Sequence, residues 1–149
     1  MEKWMREALS EARLAWAEGE IPVGAVLVRG GEEICRAHNR REQLHDPTAH
    51  AEILCLREGA RLLGDWRLRE CTLVVTLEPC PMCAGAMVMS QLGQCVFGAA
   101  DEKQGCCGSV YDLPGDAALR GVTKWQGGVM EAACAQMLTR FFEERRQLG

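Results

Sequence analysis

The 149-residue chain is predicted to fold as a layered α/β domain with a partly parallel sheet. Two observations carry this expectation. Short apolar runs of strand character alternate along the chain with longer stretches whose apolar residues recur at helical spacing. In addition, no internal repeat, low-complexity tract or linker breaks the alternation, so residues 1–149 read as a single domain long enough to bury a real core.

Glu2 to Glu18 carries Met5, Ala8, Leu9, Ala12, Ala15 and Trp16 on one helical stripe, closed by Gly19 and Pro22. Val23 to Val28 is a continuous apolar run. Gly30-Gly31 and an alternating segment from Glu33 to His38 complete a hairpin. Asn39 to Thr48 reads as polar loop, with Thr48 the expected N-cap of a helix from Ala49 to Leu63 that ends at Gly64-Asp65. Leu73 to Leu77 is a buried strand, and Glu78-Pro79-Cys80 turns the chain. Pro81 suits the first position of the next helix, where its missing N–H is harmless. That helix, Met82 to Ser90, is apolar on nearly every side and is expected in the middle of the protein. A short strand follows at Gln94 to Gly98, then an irregular glycine-rich stretch from Ala99 to Leu119 that would suit the rim of a pocket. Val122 to Gln126 is the last expected strand. Val129 to Arg146 is a terminal amphipathic helix with Met130, Cys134, Met137, Leu138 and Phe141 on one face.

The composition, 48% hydrophobic and 26% charged, is that of an ordinary globular protein. No apolar run approaches the ~20 residues needed to cross a bilayer. Met1-Glu2-Lys3-Trp4 opens a charged segment rather than a secretory signal, so a cytoplasmic protein with no membrane partner is expected. Nine cysteines in a reducing compartment would be free thiols or metal ligands. Cys35, Cys55, Cys71, Cys95 and Cys134 sit in apolar runs as small core residues, while Cys106-Cys107 lies in a glycine-flanked loop. The net charge of −4 argues against wholesale nucleic-acid binding, although Arg36, Arg40 and Arg41, and again Arg140, Arg145 and Arg146, form local basic clusters.

The chemistry is concentrated in His50-Ala51-Glu52 and Pro79-Cys80-Pro81-Met82-Cys83. Residues three apart share a helix face, so Cys80 and Cys83 can reach one ion together with His50. A helix N-terminus favours thiolate, the metal-binding form. Two sulfurs and an imidazole suit zinc, one ion per chain, and three protein ligands leave a fourth position open for a water acidified to a pKa of ~7. Glu52, two residues from the histidine, is then placed to take the water's proton and deliver it to a ring nitrogen and an amino group, replacing an exocyclic amine by a carbonyl. Three other readings stay open on the residues alone. Cys80 and Cys83 could be a redox pair, or the zinc could be structural, closed by His38, His45, Cys106 or Cys107. Glu52 could also be a helix-surface carboxylate.

At these residues the sequence resembles the cytidine/deoxycytidylate deaminase-like zinc deaminases, which carry H-x-E followed by P-C-x-x-C. Within them it resembles the bacterial tRNA-specific adenosine deaminases. The likeness extends over Ile21 to Val28, His45 to Glu52, Thr76 to Met87 and Val96 to Ala99. It continues through Asp101, Lys103, Gly105, Gly108 and Ser109, and ends at Phe141-Phe142 with Arg145-Arg146. The resemblance implies a three-layer α/β/α fold with a mixed five-stranded sheet, usually a homodimer, that converts the wobble adenosine of a tRNA anticodon loop to inosine. It implies that His50, Cys80 and Cys83 hold zinc and Glu52 shuttles protons. It further implies that Asn39 and the Ala51 backbone contact the target nucleotide and that Phe142 receives flanking nucleotides. Two rivals remain: a deaminase of free guanine or cytosine with the same chemistry under a closed lid, and a non-catalytic zinc-stabilised RNA-binding module. Arg40, Arg41 and Arg145 turned towards the pocket mouth would favour RNA.

Overall fold

The computed structural model describes residues 1–148. Its elements run α1 (Glu2–Ala17), β1 (Gly24–Arg29), β2 (Glu32–His38), α2 (Arg41–Leu44), α3 (Ala51–Leu63), β3 (Cys71–Leu77), α4 (Pro81–Met89), β4 (Gln94–Ala99), a 3-10 turn (Ala117–Leu119), β5 (Lys124–Gln126) and α5 (Glu131–Leu148). The strands form one sheet in the order β2-β1-β3-β4-β5. The β1 strand pairs antiparallel with both β2 and β3, whereas β3, β4 and β5 run parallel. The expected mixed five-stranded sheet flanked by helices is therefore what forms.

Alternation along the strands sorts the core into two. Ala25, Leu27, Leu73, Val75, Cys95 and Phe97 face one side, against Ala51, Cys55 and Leu56 of α3 and Met87 of α4. Val26, Val28, Val74 and Val96 face the other, against Met5, Ala8 and Leu9 of α1 and Cys134 of α5. The central strands are apolar in unbroken succession through their middles, at Ala25–Val28, Leu73–Val75 and Cys95–Phe97, because helices cover both faces. Two glycines allow the outer helices to close on the sheet. A Cβ at Gly24 would collide with the Ala8 carbonyl, and one at Gly98 would collide with the Cys134 sulfur.

The α1 stripe is buried as its periodicity predicts, with Trp16 half-buried edge-on against Phe141 at 5.4 Å. The five cysteines read as core residues are all buried, and Cys106 and Cys107 join them at 4% and 1% exposure. All nine are free thiols. One expectation needs correction. Only Cys83, Ala84 and Met87 of α4 are buried, whereas Met89 is 76% exposed and nothing stands within 4 Å of where a Gly85 side chain would begin. The helix is packed on one face only, and its apolar outer face is left unpartnered.

The connections at the carboxyl ends of β3 and β4 set up the site, where open α/β sheets commonly bind ligands. Leu77 pairs with Ala99 at the end of the parallel ladder, and the Glu78 N–H continues it to the Ala99 carbonyl at 2.8 Å. Beyond that point the two chains diverge, leaving a crevice that α3 and α4 enter by their N-termini.

Candidate active site

Helix α3 begins two residues later than the sequence suggests, and the reason is local. The Thr48 hydroxyl and N–H both donate to Asp46 Oδ1, at 2.7 and 2.8 Å. That Asx turn occupies the side chain that would otherwise cap the helix, so His50 becomes the N-cap residue. Cys80 is the N-cap of α4, with Pro81 at its first position as expected. Neither His50 nor Cys80 makes a side-chain capping bond. Their side chains turn instead towards each other and Cys83, one turn into α4.

His50 Nδ1 lies 3.6 Å from both Cys80 Sγ and Cys83 Sγ, and the three donor atoms all lie within 4.8 Å of one another. A tetrahedral zinc with Zn–S of ~2.3 Å and Zn–N of ~2.0 Å places adjacent ligands about 3.5 Å apart. The spacing and donor set therefore fit zinc. The thiol proton that Cys83 shares with Cys80, with help from His50, holds the Cys80 thiol down at about 4. The same contact and burial push Cys83 up, and the bond to Cys80 raises the His50 imidazole. Cys80 is thereby a thiolate near neutral pH, the form that binds metal, while Cys83 keeps the shared proton. No further His, Cys, Asp or Glu joins the group among the described residues, which removes the closed structural site. His38 is held between Glu11 and Glu18, and His45 is exposed. Both sulfurs address the same imidazole, which is a ligand arrangement rather than a disulfide pair.

The centre forms the floor of a cavity of about 660 Å³. Glu52 lines it, only 4% exposed, so it is no surface carboxylate. Among the described residues no Lys or Arg pairs with it. Burial pushes its carboxyl up to about 7, within reach of both protonation states near neutrality. Ala51, the first residue of α3, is fully buried and lines the same wall, and its N–H is one of the first-turn amides without an intrahelical partner. Asn39 also lines the cavity, but its side chain is largely committed. Its amide donates to the Ile21 carbonyl at 3.3 Å and its oxygen accepts from the Arg41 N–H at 3.2 Å. One donor and one lone pair remain for a ligand. Phe142 reaches the rim from α5, 42% exposed and edge-on to Phe141.

The basic residues around the mouth differ from the three expected. Arg41 lines it, and Lys103 joins it from the loop after β4. Arg40 bonds Gln43 instead, and Arg145 turns away to the Gly19 carbonyl and the face of Phe141. The rim is uncovered, since Arg41, Lys103, Thr139 and Phe142 are all exposed.

Two buried carboxylates shape this rim, and neither was legible as functional. Glu20 accepts from the Glu42 and Gln43 N–H groups at 3.1 and 2.8 Å, capping the short α2 that carries Arg41. Glu78 accepts from the Asp101, Cys107 and Ser109 N–H groups of the loop after β4. Both partners lie more than twenty positions from their acids, beyond the range of any local pattern.

Comparison with known proteins agrees with this geometry. The sequence pattern of the cytidine and deoxycytidylate deaminase zinc-binding region matches residues 1–99. The tRNA-specific adenosine deaminase of Bacillus subtilis is 49% identical over 146 residues, covering 98% of this chain and 91% of that protein. A structure from a study of A-to-I editing by tRNA:A34 deaminases at the wobble position superposes with a TM-score of 0.89. It is 38% identical and covers 93% of this chain and all of that one. A guanine deaminase from Nitrosomonas europaea also superposes, with a TM-score of 0.82 at 25% identity, covering 94% of this chain and 83% of that one.

Proposed function

This chain belongs to the cytidine and deoxycytidylate deaminase family, and on that premise we propose that it converts adenosine to inosine at the wobble position of a transfer RNA, releasing ammonia. The carrying observation is a three-ligand centre beside a buried carboxylate, in a chain similar over nearly its whole length to tRNA-specific adenosine deaminases. His50 Nδ1 and the sulfurs of Cys80 and Cys83 would hold one zinc ion. Bound there, zinc supplies a water acidified to near neutral pKa as the nucleophile. Glu52 takes the proton of that water and gives it to the purine ring nitrogen beside the reacting carbon, which makes the carbon electrophilic. The water oxygen bonds to that carbon, Glu52 carries the oxygen's second proton to the amino nitrogen, the C–N bond breaks, and adenosine plus water has become inosine plus ammonia.

The remaining groups position the base. The Ala51 N–H offers a donor to the base edge, and Asn39 offers its one free donor and lone pair to base or ribose. Phe142 offers an exposed ring on which a flanking base can stack. The uncovered rim with Arg41 and Lys103 supports an RNA substrate, because phosphates can approach cations that a lid would bury. An anticodon loop is already single-stranded, so extruding its base costs less than from a duplex. Such a substrate supports a cytoplasmic location. The test is an anticodon stem-loop bearing a wobble adenosine, compared with free guanine and free cytosine. Inosine is expected in the RNA; an inert RNA with turnover of a free base would overturn the assignment.

The outer face of α4 supports a homodimer. The helix carries no charge, exposes Met89, and lies beside Gly121 and the half-exposed Val122. An apolar face of this kind is one that a second copy can bury by presenting the same patch across a two-fold axis. Met89→Lys is expected to halve the mass measured by sedimentation without changing the circular dichroism; a wild-type chain that sediments as a monomer would remove the dimer.

A further inference from the structure

We infer that Glu78 is a positioning residue: it ties the loop that walls one side of the pocket mouth to the turn that presents Cys80. This deepens the tRNA-deaminase assignment and rests on it. Glu78 is 2% exposed, and no cation pairs with its carboxylate among the described residues. Its oxygens are taken up by one short loop. Oε1 accepts from the Asp101 N–H at 3.0 Å and from the Ser109 hydroxyl, and Oε2 accepts from the Cys107 and Ser109 N–H groups at 2.9 and 3.1 Å. Every neighbour donates, which only an acceptor-only group can satisfy throughout.

The tie continues on both sides. Towards the mouth, Asp101 Oδ1 accepts from the Lys103 and Gln104 N–H groups at 3.0 and 3.2 Å, so the segment carrying the rim cation is fixed through Asp101 to Glu78. Towards the metal centre, Pro79, the next residue, accepts from the Cys106 N–H at 2.8 Å, and Cys80 follows it. Gly105 marks how closely the loop wraps the acid, since a Cβ there would collide with the Glu78 carboxyl carbon. Three separate points of the loop, Asp101, Cys107 and Ser109, are thus tied to one side chain whose own backbone lies two residues from a ligand sulfur.

Glu78→Gln keeps the size of the side chain but replaces one acceptor by a donor, so at least one buried loop N–H loses its partner. The loop should loosen where the RNA flanks dock, while the ligands and Glu52 stay in place. Loss of contacts made equally in ground and transition states raises KM and leaves kcat unchanged. With an anticodon stem-loop, KM is expected to rise about tenfold and kcat to stay within about twofold, with one zinc per chain retained. Amide exchange at Cys107 and Ser109, slow in the wild type, is expected to become fast. Gly105→Ala pushes on the same contact without altering the acid and should give the same signature. It serves as the second variant should Glu78→Gln fail to fold. An unchanged KM in the variants, or zinc loss with kcat falling, would overturn the proposal. A wild type inert on the stem-loop would instead overturn the substrate assignment, and the exchange measurement would still decide whether Glu78 holds the loop.

Discussion

Glu52→Ala is expected to slow inosine formation by about a thousandfold or more, while the protein keeps one zinc per chain and melts no lower than the wild type. One positioned proton transfer contributes about 10²–10⁴ in rate, and Glu52 is used for both the activation of water and the departure of ammonia. The stability side follows from burial. A carboxylate at 4% exposure, with no cation beside it among the described residues and its carboxyl pushed up to about 7 by that burial, is held at a cost. Truncating it removes the cost. The space left opens into the cavity rather than the packed core, so the usual penalty for removing buried atoms is small. Single-turnover kinetics, elemental analysis and a thermal melt measure the three parts. A variant with the wild-type rate would rule out Glu52 as the proton carrier of the centre.

The chemistry of this site was legible because its parts are adjacent in sequence. His50 with Glu52, and Cys80 with Cys83, declare their spacing within four residues, and helix geometry then orients each pair. What could not be read depended on partners far along the chain or on competition between neighbours. Thr48 has the chemistry of an N-cap, but Asp46 two residues earlier takes its hydroxyl, and α3 starts at Ala51. The segment read as loop contains α2 because Glu20, from before the first strand, caps it. Arg145 matched a basic pattern at the mouth yet found the Gly19 carbonyl instead. The outer face of α4 read as core because composition alone does not separate apolar residues left at a surface from those facing the interior. The strands were read well, since burial on both faces makes Val26 and Leu27, or Val74 and Val75, apolar in succession.

Zinc removal is expected to abolish deamination while leaving the fold in place, with a fall in melting temperature of roughly 8–16 °C. The two cores on the sheet are built without the centre. Met5, Val26, Val74 and Val96 lie on the face away from it, and Leu27 and Leu73 are fully buried without contributing to it. A chain with such cores has no need of metal to fold, unlike the small domains that unfold when chelated. The ion still joins the N-termini of α3 and α4, and a ligand present at a thousand times its Kd stabilises by about 4 kcal/mol. At about 2–4 °C per kcal/mol for a domain near this size, that gives the stated range. Cys83→Ala should reproduce the loss of zinc and activity, because Cys83 is fully buried beneath the pocket and nothing else among the described residues can take its place as a ligand. Circular dichroism of the zinc-free protein separates the cases. Retained secondary structure with a lowered melt, restored by added zinc, is the result that a catalytic centre grafted onto an independent fold requires. Deamination persisting in protein shown by elemental analysis to be free of metal would mean that His50, Cys80 and Cys83 meet for some other purpose.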